Sequence, residues 1–302
     1  MSDPDTNDNA DNPTRIPILK TYKLYIGGAF PRSESGRYIQ VKTAGGRLMA
    51  NIARASRKDF RQAVVVARSA QAGWAKRSAF NRGQILYRLA EMVESRRAIF
   101  EGQLALLAGY TAQAAKAEVD TAIDRIVWYS GWCDKFHQIA GNTNPVSSAH
   151  FNFSFPEPQG VVAVLSSKKS PLLGLVSAVL PVIAGGNAAI AIVDDPAPTL
   201  AIEFAEALAT SDLPGGVVNI LTGLRSELFV QAGAHMDVDG VFAVGSDGDE
   251  RKTLQIDAAE TVKRTFFVDD AEPAGWLEDT RQSPYWILPF IEVKTAWHPI
   301  GA

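Results

Sequence analysis

Three short apolar runs, separated by two segments of helical length, constrain the fold of this chain most. The runs are Val161 to Leu165, Ala188 to Val193 and Val217 to Leu221, and the segments between them are Pro171 to Ile183 and Thr199 to Ala209. Strands that are apolar throughout are typical of a parallel sheet whose two faces are covered by crossover helices. The sequence therefore predicts an α/β fold with an open parallel sheet and flanking helices.

Further elements are predicted on both sides of this unit. Val241 to Val244 and Thr265 to Val268 are short apolar runs that can extend the sheet, and Lys23 to Gly28 is predicted as a strand that enters a tight turn. Ser56 to Asp59 has the composition of a helix start, and apolar residues recur at helical spacing from there to Trp132. We expect three or four helices before residue 140.

Composition excludes several classes of partner. The 30 basic and 33 acidic residues are mixed along the chain and give a net charge of -3, so we expect neither nucleic acid nor an anionic membrane as a partner. The longest apolar stretch, Leu172 to Val193, contains Pro181 and the turn Gly185 to Asn187, which a membrane helix would not favour.

One cysteine, Cys133, cannot form an internal disulfide, and a cytoplasmic location is expected. Residues 1–15 are polar and are predicted to form a disordered tail.

Several segments resemble the aldehyde dehydrogenase family, in that family's order and across almost the whole chain. The segments are Leu24 to Gly28, Ala122 to Arg125, Tyr129 to Trp132, Pro158 to Val162, Ala184 to Asn187, Leu213 to Gly223, Asp237 to Asp239 and Glu292 to Gly301. The resemblance implies a Rossmann-like nucleotide-binding domain, with N-terminal strands and helices at residues 16–141 and an α/β core at 159–275. It further implies a small β oligomerisation arm, formed by a hairpin at 142–158 and by a C-terminal strand that follows a linker within 276–302.

The resemblance also suggests that a part of the family's sequence is missing. In the family, a strand that carries the general-base Glu is followed by a catalytic domain with the nucleophilic Cys. Here Val262 to Arg264 continues directly into Thr265 to Ala271, and about twenty residues separate Ala271 from the C-terminal strand, whereas a domain needs roughly 100. Nothing near Cys133 in sequence would lower the pKa of its thiol. We therefore expect no catalytic residues and no enzyme on its own, although the chain could be a subunit of an aldehyde dehydrogenase complex.

The positions that would hold the cofactor are partly altered. The family's ribose-binding Lys and Glu correspond to Ile192 and Asp195, and its diphosphate lies near the Gly-Ser at Gly245 and Ser246, which we expect to begin a helix. No cofactor is expected, and weak NAD(P) binding through Ser246, Gly245 and Asp195 is left open. A Gly-Ser turn is as readily a plain helix cap.

Two lysines are candidates for anion binding, and no metal site is expected. Lys169 stands at the position of the family's oxyanion-binding Asn, so Lys168 and Lys169 could bind a phosphate or a carboxylate, or could be solvated loop residues. None of the four histidines, His137, His150, His235 and His298, has a metal-binding spacing.

The predicted oligomerisation arm suggests an assembly role. Residues 150–155 alternate apolar with polar side chains, as residues 291–297 do, and both segments are predicted to be edge strands that can pair with another chain. The side chains expected at the interface are Phe151, Phe153, Phe155, Ile291, Val293 and Trp297.

The leading hypothesis is a catalytically inactive subunit, whose arm pairs with a full-length aldehyde dehydrogenase to scaffold, stabilise or regulate it. One alternative is an NAD(P)-binding, oxidoreductase-like protein with residual or altered activity. Another is a stand-alone module that binds a small anion. The C-terminal strand could also simply extend the chain's own small sheet.

Overall fold

A computed structural model describes residues 18–301 of the protein, so the predicted disordered tail, residues 1–15, lies outside the described residues. Within the described range, none of the helices is both long and apolar enough to cross a membrane. The strands are β1 Lys20–Tyr22, β2 Tyr38–Lys42, β3 Leu48–Ala53, β4 Asn142–Asn144, β5 His150–Pro158, β6 Val161–Leu165, β7 Ala188–Val193, β8 Val218–Thr222, β9 Gly240–Val244, β10 Arg264–Val268 and β11 Ile291–Pro299. The helices are α1 Arg57–Ala75, α2 Ala79–Ser95, α3 Arg97–Ala108, α4 Ala112–Trp132, α5 Phe136–Ala140, α6 Leu173–Ala184, α7 Thr199–Ala209, α8 Arg225–Ala234, α9 Gly248–Ala259 and α10 Pro273–Trp276.

The central sheet has five parallel strands in the order β10-β9-β6-β7-β8. Every residue of β6, β7, β8 and β9 is buried, because two hydrophobic layers cover the sheet. Val162 and Val164 face the layer that contains α2, α4, α6 and α7, whereas Val161 and Ala163 face α1, α8 and α9. The predicted α/β class with a Rossmann-like parallel sheet is confirmed.

Over Lys23 to Gly28 the predicted tight turn is confirmed, but the predicted strand before it is wrong. Gly27 and Gly28 have φ angles of 67° and 81°, and this left-handed backbone reverses the chain, so that the Ile26 N–H and the Ala29 N–H each donate to the other residue's carbonyl. The segment is a tight turn, which Tyr25 attaches to Ile220 of β8 by two backbone hydrogen bonds. The short N-terminal sheet is built instead by β1, β3 and β2.

The helical region before residue 140 contains five helices, one more than the upper end of the prediction, because α5 is a short additional turn. The predicted start of α1 is confirmed. The Ser56 hydroxyl accepts from the Asp59 N–H, and the Asp59 carboxylate accepts from the Ser56 N–H, which is a reciprocal cap.

The three-stranded antiparallel arm has the order β11-β5-β4, so β5 is its central strand. The prediction that β5 lies at an edge is therefore wrong. The alternation in β5 is instead explained by a strand with two differently covered faces, since alternation reports the burial of faces and not the pairing of edges. β11, by contrast, pairs only with β5 among the described strands.

The segment between β10 and β11, predicted in part as a linker, packs as core. Trp276, Ile287 and Phe290 are fully buried, and the buried guanidinium of Arg125 donates to the carbonyls of Trp276 and Glu278 at 3.1 and 3.3 Å. Trp286 and Phe290 of this segment pack against Phe242 of β9, and these aromatic contacts hold residues 273–290 on the α/β core. The sequence alone did not predict these contacts.

Candidate functional site

The strand order places a topological switch point between β6 and β9. From β6 the chain continues to β7 and β8 on one side, and then it crosses to β9 on the other side. In open parallel sheets, ligands bind outside the carboxyl ends of the strands at such a point. Ser166 to Lys169 follow β6 here and Gly245 with Ser246 follow β9, so these two segments border the candidate site, which we call the switch-point crevice.

Arg225 spans the switch-point crevice from the first residue of α8. Its guanidinium donates to the Ser166 carbonyl at 3.0 Å, to the Ser246 Oγ at 3.0 Å and to both carboxylate oxygens of Glu250 at 2.6 to 3.1 Å. The Arg225 side chain is 3% exposed and that of Glu250 is 15% exposed. A buried ion pair of the protein's own side chains therefore joins the ends of β6 and β9.

The prediction that Gly245 and Ser246 begin a helix is wrong. α9 begins at Gly248 and is capped by Asp247, whose Oδ1 accepts from the Glu250 N–H at 2.8 Å. The Ser246 Oγ donates to Glu250 Oε1 at 2.7 Å. Because Asp247, Asp249 and Glu250 are all acidic, the first turn of α9 complements its own helix dipole and repels an external anion.

Asp270 occupies the donors of the loop after β6. Its carboxylate accepts from the Ser167 Oγ at 2.6 Å, from the Lys168 N–H at 2.8 Å and from the Trp276 Nε1 at 3.1 Å. Gly245, with φ of 64°, lies against the Asp270 side chain, where an added Cβ would be 2.7 Å from the Asp270 Cβ. A side chain at Gly245 would therefore displace this second carboxylate.

The two candidate anion-binding lysines lie beside this loop but face carboxylates. Lys169 Nζ contacts Glu272 Oε1 at 2.6 Å, and this hydrogen bond raises the pKa of the exposed Lys169 amine. Lys168 Nζ lies 3.9 Å from Asp194 Oδ2. Both charges are thus partly neutralised, and neither amine hydrogen-bonds to Ser246.

The end of β7 offers little to a ribose. The side chain of Ile192 is buried and apolar, so it provides no hydrogen-bond donor. Asp195 is half-buried, and its Oδ1 accepts from the Ala197 N–H at 2.7 Å. Burial, with smaller contributions from the charges of Asp194 and Glu118, raises the pKa of Asp195 to about 8. The raised pKa favours the neutral form of the Asp195 carboxyl group.

Replacing Asp195 with asparagine is expected to change the pH dependence of stability. A carboxyl whose folded pKa is raised stabilises the fold fully only below its unfolded pKa of about 3.9, and that stability is lost as the pH rises through about 8. Asn keeps the acceptor for Ala197 but does not ionise. Urea unfolding should show Asp195→Asn to be about 1–3 kcal/mol more stable than the wild type near pH 9 and equal to it near pH 4. Asp269→Asn, at an exposed carboxylate, should follow the wild type at both pH values, and a gain shared by both variants would contradict this assignment.

Glu118 is a buried acidic residue that the sequence reasoning missed. Its Oε1 accepts from the Leu172 and Leu173 N–H groups at 3.0 and 3.1 Å, so this side chain of α4 caps the start of α6. Burial raises the pKa of Glu118. A signal was present, because Glu118 occupies the same helical face as the buried Ala115, Val119 and Ala122.

Cys133 is a packing residue at the end of α4. Its thiol is buried, and burial raises the pKa of Cys133 to about 12, which disfavours a thiolate. Across residues 18–301 no cluster of three or more His, Cys, Asp or Glu side chains could hold a metal ion.

The predicted interface residues of the arm lie on opposite faces. Phe151, Phe153 and Phe155 stack in a row, with ring centroids 5.4 and 5.9 Å apart, and are paired across the sheet with His298, Ala296 and Lys294. Val293 and Trp297 point to the other face, where both are exposed. Ile291 is buried in the core, so its predicted place at an interface is wrong.

The sequence and the fold are similar to those of known proteins, which identifies the family. The aldehyde dehydrogenase family model matches residues 30–267. The chain belongs to the aldehyde dehydrogenase family. The putative aldehyde dehydrogenase DhaS of Bacillus subtilis is 30% identical over 91% of the chain and 54% of its own length. Cytosolic 10-formyltetrahydrofolate dehydrogenase of Mus musculus is 30% identical over 83% of the chain and 28% of its own length.

The fold of the chain is also similar to that of solved aldehyde dehydrogenase structures. An aldehyde dehydrogenase of Bacillus cereus in complex with NAD+ has a TM-score of 0.78 and 26% identity, over 82% of this chain and 51% of that one. The aldehyde dehydrogenase-family chain thus spans at most about half the length of these three relatives.

Membership in the family corrects one prediction. The chain was expected not to be an enzyme on its own, but the matched family and the relatives named above are dehydrogenases. The prediction is therefore wrong, since the absence of the expected catalytic segment between Arg264 and the C-terminal strand does not by itself separate this chain from a family of enzymes.

Proposed function

We propose that the chain is a shortened aldehyde dehydrogenase-family subunit, which pairs through its β arm with a full-length aldehyde dehydrogenase and stabilises, positions or regulates that enzyme. The free edge of β11 carries the proposal. This strand is nine residues long and pairs with β5 alone among the described strands. A long unpaired edge presents backbone N–H and C=O groups that can bind a strand of another chain.

The surface around that edge supports the same proposal. Val293 and Trp297 are 55% and 59% exposed. Aromatic residues such as Trp297 are enriched at protein interfaces, so an exposed one favours a contact with a partner. Behind the edge, the Ser154 and Thr295 hydroxyls lie 2.9 Å apart across the two strands, and Lys294 forms an ion pair with Glu157. These cross-strand contacts keep β11 extended, so the edge is ordered before any partner binds.

The folded segment between β10 and β11 provides a fixed support for the arm. Trp276 and Phe290 are fully buried on the core, and the Asn187 Nδ2 donates to the Phe290 carbonyl at 2.9 Å, directly before β11 begins. The segment between β10 and β11 is thus folded onto the core, and it holds the start of β11 in a fixed position, as the proposed role of the arm requires.

Co-expression with a full-length aldehyde dehydrogenase from the same genome, followed by size-exclusion chromatography, tests the assembly. We expect the wild-type chain to co-elute with the enzyme and the double variant Val293→Lys, Trp297→Lys to elute alone, because charged side chains on an edge oppose strand pairing. The matched control is Val65→Lys, Phe80→Lys, which changes two exposed helix residues in the same way. The proposal fails if the wild type never co-elutes, or if the two double variants behave alike.

We also propose a cytoplasmic location. The mouse relative is a cytosolic dehydrogenase by name. Fractionation of cells that express the tagged chain should place it with the soluble cytoplasmic fraction, and recovery with membranes would contradict the proposal.

A further inference from the structure

The switch-point crevice offers the groups that usually bind a diphosphate. A guanidinium, a hydroxyl and a loop N–H converge on it, from Arg225, Ser246 and Lys168. Such groups bind phosphate oxygens through charge-assisted hydrogen bonds. An open crevice of this composition would therefore be an anion site.

In this chain the converging donors already have anionic partners. Glu250 accepts from Arg225 and from Ser246, and Asp270 accepts from Ser167 and from the Lys168 N–H. Two carboxylates of the protein thus take up the hydrogen bonds that a bound diphosphate would need.

The surrounding charges act in the same direction. The Asp194 carboxylate accepts from the backbone N–H of Arg225 at 2.9 Å, and Asp247 caps α9 next to Ser246. A diphosphate that entered would meet four carboxylates, those of Asp194, Asp247, Glu250 and Asp270, and would have to break a buried ion pair first. The NAD cofactor of the family therefore does not fit the crevice as it stands, and the apolar Ile192 gives a ribose no compensating hydrogen bond.

We infer that the Arg225–Glu250 ion pair closes the switch-point crevice against dinucleotides, and that Glu250 is the residue that determines this exclusion. Glu250 reaches the crevice because α9 begins two residues after Ser246 and directs its first turn back toward Arg225. Removal of the Glu250 charge would leave Arg225 as a buried cation without its partner. Arg225 would then bind an external anion in the place of the carboxylate.

Isothermal titration of the full chain with inorganic pyrophosphate, and separately with NAD+, tests the inference. We expect Glu250→Gln and Glu250→Ala to bind pyrophosphate about tenfold or more tightly than the wild type, the gain expected from one charge-assisted interaction. The double variant Arg225→Ala, Glu250→Ala should lose that gain, because the receiving cation is gone. Asp249→Ala is the matched control, since it removes an exposed acidic charge one residue away.

The outcomes separate clearly. Equal pyrophosphate affinity for the wild type and both Glu250 variants overturns the inference, and so does an equal gain in Asp249→Ala, which would indicate a general charge effect. Tight NAD+ binding by the wild type also overturns it. Glu250→Gln keeps a hydrogen-bonding side chain of the same length, so it carries the test if Glu250→Ala does not fold. None of these results depends on whether the arm pairs with another enzyme.

Discussion

Replacing Trp276 with alanine is expected to lower the free energy of unfolding by about 3–5 kcal/mol, the usual cost of truncating a buried aromatic residue. The indole is fully buried, and its Nε1 donates to Asp270 at 3.1 Å. The substitution opens a cavity where residues 273–290 meet the core, and it removes one of the three hydrogen bonds that hold Asp270. Urea unfolding followed by circular dichroism measures the loss.

A second tryptophan in the same chain provides the control. Trp297 is 59% exposed on the arm, so Trp297→Ala should change the free energy of unfolding by no more than about 0.5 kcal/mol. Losses of similar size for the two variants would show that residues 273–290 do not contribute to the core as described.

Replacing Arg225 with alanine should be nearly as costly, with an expected loss of about 3–5 kcal/mol, because it leaves the largely buried Glu250 carboxylate without its cation. The same change also removes the hydrogen bonds to the Ser166 carbonyl and the Ser246 hydroxyl. Unfolding by urea near neutral pH measures the effect.

The double variant Arg225→Ala, Glu250→Ala should be more stable than Arg225→Ala alone, because the unpaired charge is removed with its partner. Arg251→Ala serves as the control. Its side chain is 43% exposed and lies 3.8 Å from Asp269, so its loss should cost no more than about 1 kcal/mol. If Arg225→Ala and Arg251→Ala were equally mild, the ion pair in the crevice would not be a buried one.

The central sheet could be predicted from the sequence because its strands are apolar throughout. Val161 to Leu165 and Ala188 to Val193 can be satisfied only by burial on both faces, and the structure has them so. Leu24 to Gly28 is equally apolar at its start, but the left-handed backbone of Gly27 and Gly28 reverses it. Composition alone does not distinguish these two outcomes.

The closed crevice was not predictable in the same way. Arg225 and Glu250 are 25 residues apart and belong to two different helices, where each could equally have been a solvated surface charge. Only the strand order, which brings the ends of β6 and β9 together, places the two side chains in contact. The same holds for Asp270, whose partners Ser167 and Lys168 are more than 100 residues away.

The opposite faces of the arm have a consequence for register. A strand that pairs with β11 would find Lys294, Ala296 and His298 on the face of the phenyl rings, and Val293, Thr295 and Trp297 on the other face. A slip of one residue would move every side chain of the incoming strand to the other face, so that its apolar residues would meet Lys294 and His298. The arm can therefore discriminate among strands by the phase of their alternation, even though backbone hydrogen bonding itself is indifferent to sequence.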